Sequence, residues 1–316
     1  NGMKGESIYG RYVAMRTGIL CMVATTALWG IIPILVKTVL KMIDPFSLSF
    51  LRLFQGAVVL LLLYRIRGGQ WRALFQKNRW LLIGGIGTSI NYALFTVGLN
   101  FTTAGAGVLV VQIQVVTLSV LAALFLGERL TAFKIAGMVA VICGVVFVVL
   151  PQNTLGGMFG SQYTLGNAMM LVSGMGWGVY ALANKTLSRQ MGSFHILIPI
   201  LGIGTLVTGV VAATQFELKA AISVKALVAI VVLGTLCTGG AYYLLSEGLK
   251  RLSAALAVTI TTLSPLLSLW LAHLILGEDI STAMFVATAL IIGGILVMVY
   301  SERNHENPVM SCKKKP

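Results

Sequence analysis

The sequence predicts an all-α integral membrane protein: ten transmembrane helices, arranged as two inverted five-helix repeats. Three observations lead there. The 316-residue chain is 57% hydrophobic and only 10% charged, with a mean hydropathy of +0.92, whereas a soluble domain carries about a quarter charged residues. Ten apolar runs each approach the ~20 residues that cross a bilayer. Finally, one pattern occurs twice, 148 positions apart: Trp29-Gly30, Lys37-Thr38 and Phe46, then Trp177-Gly178, Lys185-Thr186 and Phe194.

The runs cover 17–37, 46–64, 80–99, 104–126, 132–150, 164–184, 194–214, 226–246, 254–276 and 282–300. They are continuous and rich in Leu, Val, Ile, Ala and Gly. They lack the ten-residue polar alternation of an outer-membrane barrel, so the class is a helical bundle. The runs match in pairs. The first and sixth carry the Trp-Gly pattern, and the second and seventh begin at Phe46 and Phe194. The third and eighth share Tyr-x-Leu-x-x-x-Gly-Leu, from Tyr92 and from Tyr242. The fourth and ninth end in Leu126-Gly127-Glu128 and Leu276-Gly277-Glu278. The fifth and tenth match at Gly144 and Gly294, where the offset has become 150.

Five spans per copy is an odd number, so the copies must cross in opposite senses. Loop charges agree. With the N-terminus in the cytoplasm, 18 of the 23 Lys and Arg residues fall inside and four outside (Lys37, Lys41, Lys219 and Lys225), leaving Arg52 within a span. This is the positive-inside bias, and it places both termini in the cytoplasm. The Gly-Glu turn after the fourth run continues with Arg129 and Lys134, whereas its twin continues with Asp279. The uncharged loop after the third run has a twin carrying Lys250 and Arg251. Matching sequence with reversed loop charge marks an inverted-topology repeat. The expected organisation is a cytoplasmic segment 1–16, repeats 17–150 and 164–300, an external linker 151–163 and a basic cytoplasmic tail 301–316.

Several function classes are set aside. The net charge of +14 comes from bases in short gaps, not from one basic face, so nucleic acid is not an expected partner. Cys21, Cys143 and Cys237 lie in apolar runs and Cys312 in the tail, and no pair has metal spacing. The glycine-rich Ser173-Gly174-Met175-Gly176-Trp177-Gly178 lies mid-helix with no strand before it. It reads as close helix packing, not as a phosphate loop. No paired carboxylate, His-Glu-x-x-His or Ser/His dyad suggests an enzyme. No cofactor and no metal are expected. The first run lacks a following Ala-x-Ala site and is read as a retained span. Lys313 to Lys315 read as a solvated end resting on anionic headgroups.

The chain resembles the drug/metabolite transporter superfamily, and within it the ten-helix EamA-type exporters. The resemblance rests on Trp29-Gly30 with Lys37, Leu51-Arg52-Leu53, Gln112-Ile113-Gln114 and Gly127-Glu128-Arg129-Leu130, and covers roughly 12–302. It implies an inner-membrane carrier that exports amino acids or related small metabolites. It also implies a central cavity lined mainly by the first, third, fourth, sixth, eighth and ninth helices.

A carrier must hold a polar solute within the membrane, which directs attention to the polar and aromatic residues of those helices. The candidate substrate-binding set is Trp29, Asn91, Tyr92, Gln112, Gln114, Trp177, Tyr242, Tyr243, Thr262 and Ser264. The two tryptophans lie well inside their runs and could stack on a solute; structural packing is the alternative. Buried amides must find partners, either a solute or a neighbouring helix. Gln112 and Gln114 lie two apart, so a regular helix would turn only one of them squarely to a cavity. Pro33 and Pro265 free backbone carbonyls that a solute could use.

Arg52, a charge within a span, is by default a functional candidate, and the favoured expectation is that it snorkels to the outer interface or meets Asp44. His195 and His273 lack a neighbouring ligand type at helical spacing. Glu247 is expected to pair locally with Lys250 and Arg251. No carboxylate falls at mid-membrane, which disfavours a proton-coupled pump or an organic-cation exporter. The expected solute is therefore neutral or zwitterionic, and a monomer suffices because the repeats supply the pseudo-dimer. Efflux of drugs or of another metabolite, such as a nucleobase or sugar derivative, is the alternative, and a channel or scaffold subunit comes after it.

Overall fold

The computed structural model describes residues 8–149 and 162–306. Most of the expected linker, the first seven residues and the tail beyond 306, with Cys312 and the terminal lysines, lie outside the described residues.

Ten helices follow in order: α1 Ile8–Val39, α2 Pro45–Ile66, α3 Arg79–Phe101, α4 Ala104–Leu126, α5 Ala132–Val149, α6 Gln162–Leu187, α7 Ser193–Gln215, α8 Val224–Leu249, α9 from Ala254 to Leu276, and α10 Thr282–Glu306. Among the described residues, nine are long and apolar enough to cross a membrane. α6 is as long as the others, but Asn167, Asn184 and Lys185 dilute it. Leu62, Leu124, Phe125, Leu206, Val210 and Leu274 stand exposed on the periphery. Apolar side chains face outward over the bundle, as a lipid solvent requires and water would not allow.

Two helices expected to be continuous are broken. α4 consists of Ala104–Val110 and Ile113–Leu126, and α9 of Ala254–Thr261 and Ser264–Leu276. The breaks, at 111–112 and 262–263, lie within one residue of twin positions. Pro265 explains the second: it opens the new piece, where a missing N–H costs nothing. The first has no proline. α8 departs differently, with a π-helical stretch over Val232–Gly240, where Thr238 Oγ1 reaches the Leu233 carbonyl at 2.9 Å. Such widened turns tend to occur where a helix lines a functional site.

The sequence twins are structural twins. Gly127 and Gly277 both take left-handed φ, +68° and +67°, and end α4 and α9. The N–H of Glu128 returns to Ala122 and that of Glu278 to Ala272, each at 3.3 Å. This glycine C-cap reverses the chain and aims the following glutamate back at the bundle. A Cβ on Gly144 of α5 would lie 2.9 Å from the Ala287 carbonyl of α10, and one on Gly294 would lie 2.6 Å from that of Gly137. Gly137 and Ala287 are themselves twins, so the α5–α10 contact is self-complementary, as a two-fold axis demands.

Another close helix approach is between α3 and α6. A Cβ on Gly87 would sit 2.7 Å from the Gly176 carbonyl, and one on Gly176 would sit 2.8 Å from that of Gly87. The glycine run from Ser173 to Gly178 is therefore a packing surface. Its hydroxyl is used as well: Asn91 Nδ2 donates to the carbonyl and hydroxyl of Ser173, each at 3.0 Å, and Ser173 Oγ donates to the Asn91 carbonyl.

Candidate functional site

The two repeats leave a central, partly open cavity between them. Its wall comes from α1 (Trp29, Ile32, Pro33), α3 (Asn91, Tyr92, Phe95), α4 (Val111, Gln112, Gln114), α6 (Trp177), α8 (Tyr242) and α9 (Ser264, Pro265, Ser268), with Arg52 added from α2. Eight of the ten predicted residues are therefore brought together.

Aromatic rings close one side. Trp29 meets Tyr242 edge-on at 6.1 Å between centroids, Tyr242 meets Tyr180 at 5.7 Å, and Tyr180 meets Trp177 at 5.9 Å. These tilted pairs favour ring edge against ring face, and they link α1, α8 and α6 across the repeat boundary. Both tryptophans remain half-buried, with surface turned to the cavity.

Gln112 and Gln114 both line the wall, contrary to the expectation that only one would. The turn between the two pieces of α4 removes the regular 100° advance per residue, so residues two apart reach one space. Gln112 Nε2 donates to the Val108 carbonyl at 3.1 Å, and its Oε1 lies 3.4 Å from Gln114 Nε2.

Two predicted residues lie off the cavity. Tyr243 turns the other way from Tyr242, as adjacent helical residues do. Its hydroxyl accepts a hydrogen bond from Arg67, and its ring stacks on Phe194 at 6.1 Å. Thr262 is buried, and its hydroxyl donates to the Val258 carbonyl at 2.7 Å.

Arg52 corrects the sequence reading outright. It is 3% exposed and does not snorkel. Asp44 is engaged elsewhere: it caps α2 by accepting from Ser47 N at 2.8 Å, and it accepts from Glu217 N at 3.2 Å. The guanidinium lies over the Tyr92 ring at 4.6 Å, and Nε and Nη1 are buried without a hydrogen-bond partner among the described residues. Arg52 sits on the face of α2 that packs inward against α3 and α8, so its stem has no path to the outer interface. Phe95 and Ser268 are wall residues that sequence reasoning also missed. Ser268 had no visible signal; its hydroxyl donates to the Gly30 carbonyl at 2.8 Å.

At each end of the bundle an ion pair joins the repeats, and the two pairs are twins. Lys37 of α1 meets Glu278, after α9, at 3.3 Å; Lys185 of α6 meets Glu128, after α4, at 2.6 Å. Glu278 also accepts from the N–H groups of Ala104 and Gly105 at 2.8 and 3.0 Å, capping α4. Partial burial alone would raise the Glu128 carboxyl, but Lys185, aided by Lys134, outweighs it and holds the group below its ordinary range. Glu247 pairs with Lys250 at 2.8 Å and Arg251 at 2.7 Å, as expected, with Arg67 at 3.8 Å. His195 Nε2 bonds the Tyr64 hydroxyl at 3.2 Å, and His273 Nδ1 lies 2.9 Å from the Glu278 carbonyl.

The profile of the EamA-like transporter family matches this chain twice, over residues 16–150 and 164–300. The chain belongs to the EamA-like transporter family. Its curated relatives include the uncharacterized inner membrane transporter YhbE of Escherichia coli K12, 27% identical over 272 residues, which are 82% of this chain and 81% of that one. Another is the uncharacterized transporter YoaV of Bacillus subtilis 168, 23% identical, covering 89% and 96%. A solved crystal structure superposes with a TM-score of 0.68 at 22% identity, over 92% of this chain and 99% of that one, which establishes the likeness of fold. In EamA-like terms, the cavity lies between the two matched segments and draws its wall from both.

Proposed function

We propose that this EamA-like protein is an inner-membrane carrier that exports amino acids or related small neutral or zwitterionic metabolites by alternating access. One observation carries the reading: a cavity lies between the repeats, with the twin tryptophans Trp29 and Trp177 in its wall. In inverted-repeat carriers, the solute site lies where the repeats meet near the bilayer midplane. The twin pairs Lys37–Glu278 and Lys185–Glu128 fit the same scheme, since each joins one repeat to the other near an opposite end of the bundle. The relatives' names, as transporters and as an inner membrane transporter, agree with it. The cavity wall contains no carboxylate, so movement is facilitated or only weakly coupled to protons.

The test is counterflow. Proteoliposomes loaded with an unlabelled amino acid should take up the labelled one saturably, with rates that depend little on an imposed pH gradient. Single-channel currents without saturation would sink the carrier reading, and steep dependence on the pH gradient would sink the uncoupled one.

A further inference from the structure

We propose that Arg52 is the anchor for a carboxylate, and that the solute class is a monocarboxylate with an apolar or aromatic body whose amino group is dispensable. This rests on the carrier reading above and extends its solute class from zwitterions to monoanions.

Three observations converge. Arg52 lines the cavity. It is buried, and two of its nitrogens, Nε and Nη1, lack a hydrogen-bond partner among the described residues. Its guanidinium lies over the face of Tyr92 at 4.6 Å. An arginine keeps its charge in any protein setting, and a ring face does not replace the hydration lost on burial. A buried cation is ordinarily paired. Gln55, one turn along α2, does not supply the missing acceptor: its own Oε1 is also buried without a partner, and it packs against Gly234 of α8. The guanidinium has five N–H donors in a planar fork, and the group that matches them two at a time is a carboxylate or a phosphate.

The rest of the wall decides between these and defines the other end of the solute. Among the described residues Arg52 is the one charged residue in the wall. One cation balances a monoanion; a phosphate dianion would leave a charge uncompensated. The remaining wall is Trp29, Trp177, Tyr242, Phe95 and Ile32, with neutral amides and hydroxyls between them. That surface suits an apolar or aromatic body. An ammonium group would find no carboxylate there, so it adds no ion pair, and an amino acid and its des-amino acid should be taken almost alike.

Two matched series test this on the purified full chain: phenylalanine, 3-phenylpropionate, 3-phenylpropanamide and phenethylamine, and leucine, 4-methylpentanoate, 4-methylpentanamide and 3-methylbutylamine. The readout is saturable change in tryptophan fluorescence. In at least one series, the amino acid and the acid should bind within about threefold of each other. The amide and the amine should bind at least about tenfold more weakly, the ratio that loss of one charge-assisted hydrogen bond gives. Arg52→Gln should abolish the preference and Arg52→Lys should keep part of it; the wild-type series decides even if a variant does not fold. An amide or amine that binds as tightly as its acid overturns the anchor and leaves the carrier standing. So does acid preference that persists in folded Arg52→Gln. No binding across either series overturns the carboxylate assignment, and the counterflow experiment then judges the carrier reading separately.

Discussion

Glu278 offers the sharpest test of how the repeats are held together. Its carboxylate accepts from Ala104 N at 2.8 Å and Gly105 N at 3.0 Å and pairs with Lys37 at 3.3 Å. Ala104 is fully buried, so its N–H has no water to turn to when the carboxylate is removed. Hydrogen bonds to a charged group contribute about 1.5–3 kcal/mol each. The glutamate side chain is 15% exposed, and Thr103 still caps Ala106 N at 3.1 Å, so the low end of that range applies. Glu278→Ala should therefore cost about 3 kcal/mol. Glu278→Gln keeps one acceptor oxygen but loses the charge, and should cost about half as much. Lys37→Met removes only a partly exposed ion pair and should cost about 0.5 kcal/mol. Unfolding in mixed micelles of rising SDS fraction, followed by tryptophan fluorescence, gives all three values. If Glu278→Ala costs no more than Lys37→Met, the carboxylate is not holding α4 and the reasoning is wrong.

Three further outcomes follow from the packing and charges. Gly87→Val places a branched side chain against the Gly176 carbonyl and should abolish the folded, monodisperse fraction in size-exclusion chromatography, whereas Gly293→Ala, with nothing within 4 Å of the added carbon, should be neutral. Trp29→Ala and Trp177→Ala should each remove most of the thermal stabilisation that an accepted solute gives, while Thr262→Val, off the cavity, should leave it in place; solute stabilisation that survives both tryptophan changes would remove the site assignment. The Glu128 carboxyl is held below its ordinary value near 4.5, so its contribution is full above that pH and fades as pH falls through the lower folded-state value. The stability gap between wild type and Glu128→Gln, measured in the same SDS titration, should be constant from neutral pH to about 5 and should close at more acid pH.

The architecture was legible because lipid imposes simple demands. Every span must be long and apolar, and loop bases record which end faces the cytoplasm, so composition and the duplicated Trp-Gly and Leu-Gly-Glu patterns were enough to predict an inverted pair of five-helix units. What was not legible depends on backbone departures and on direction. The break in α4 at Val111–Gln112 has no proline to announce it, and it alone brings Gln112 and Gln114 to one space. Arg52 was misread for a related reason. Snorkelling is the default for a long cationic stem near a helix end, and only the packing of α2 against α3 and α8 shows that this stem points inward onto Tyr92.

A division of labour emerges between twins that stayed alike and twins that diverged. Gly127 and Gly277, Glu128 and Glu278, Lys37 and Lys185, and Gly144 and Gly294 are identical pairs, and each serves a chain reversal, an inter-repeat ion pair or a helix contact. Asn91 and Ala241 differ, yet both positions meet a hydroxyl from the other repeat: Ser173 at 3.0 Å in one case, Thr25 at 3.5 Å to a backbone carbonyl in the other. In the cavity wall Trp29 and Trp177, and Tyr92 and Tyr242, stayed alike, while other wall residues have unlike twins. Arg52 faces Ile200 as its twin, Gln112 faces Thr262, and Gln114 faces Ser264. A mechanism that alternates between two mirror-related states needs equivalent contacts to form and break at the two ends, so the joints must match. The solute has no such symmetry, so the wall can keep its aromatic twins and still differ at Arg52, Gln112 and Gln114.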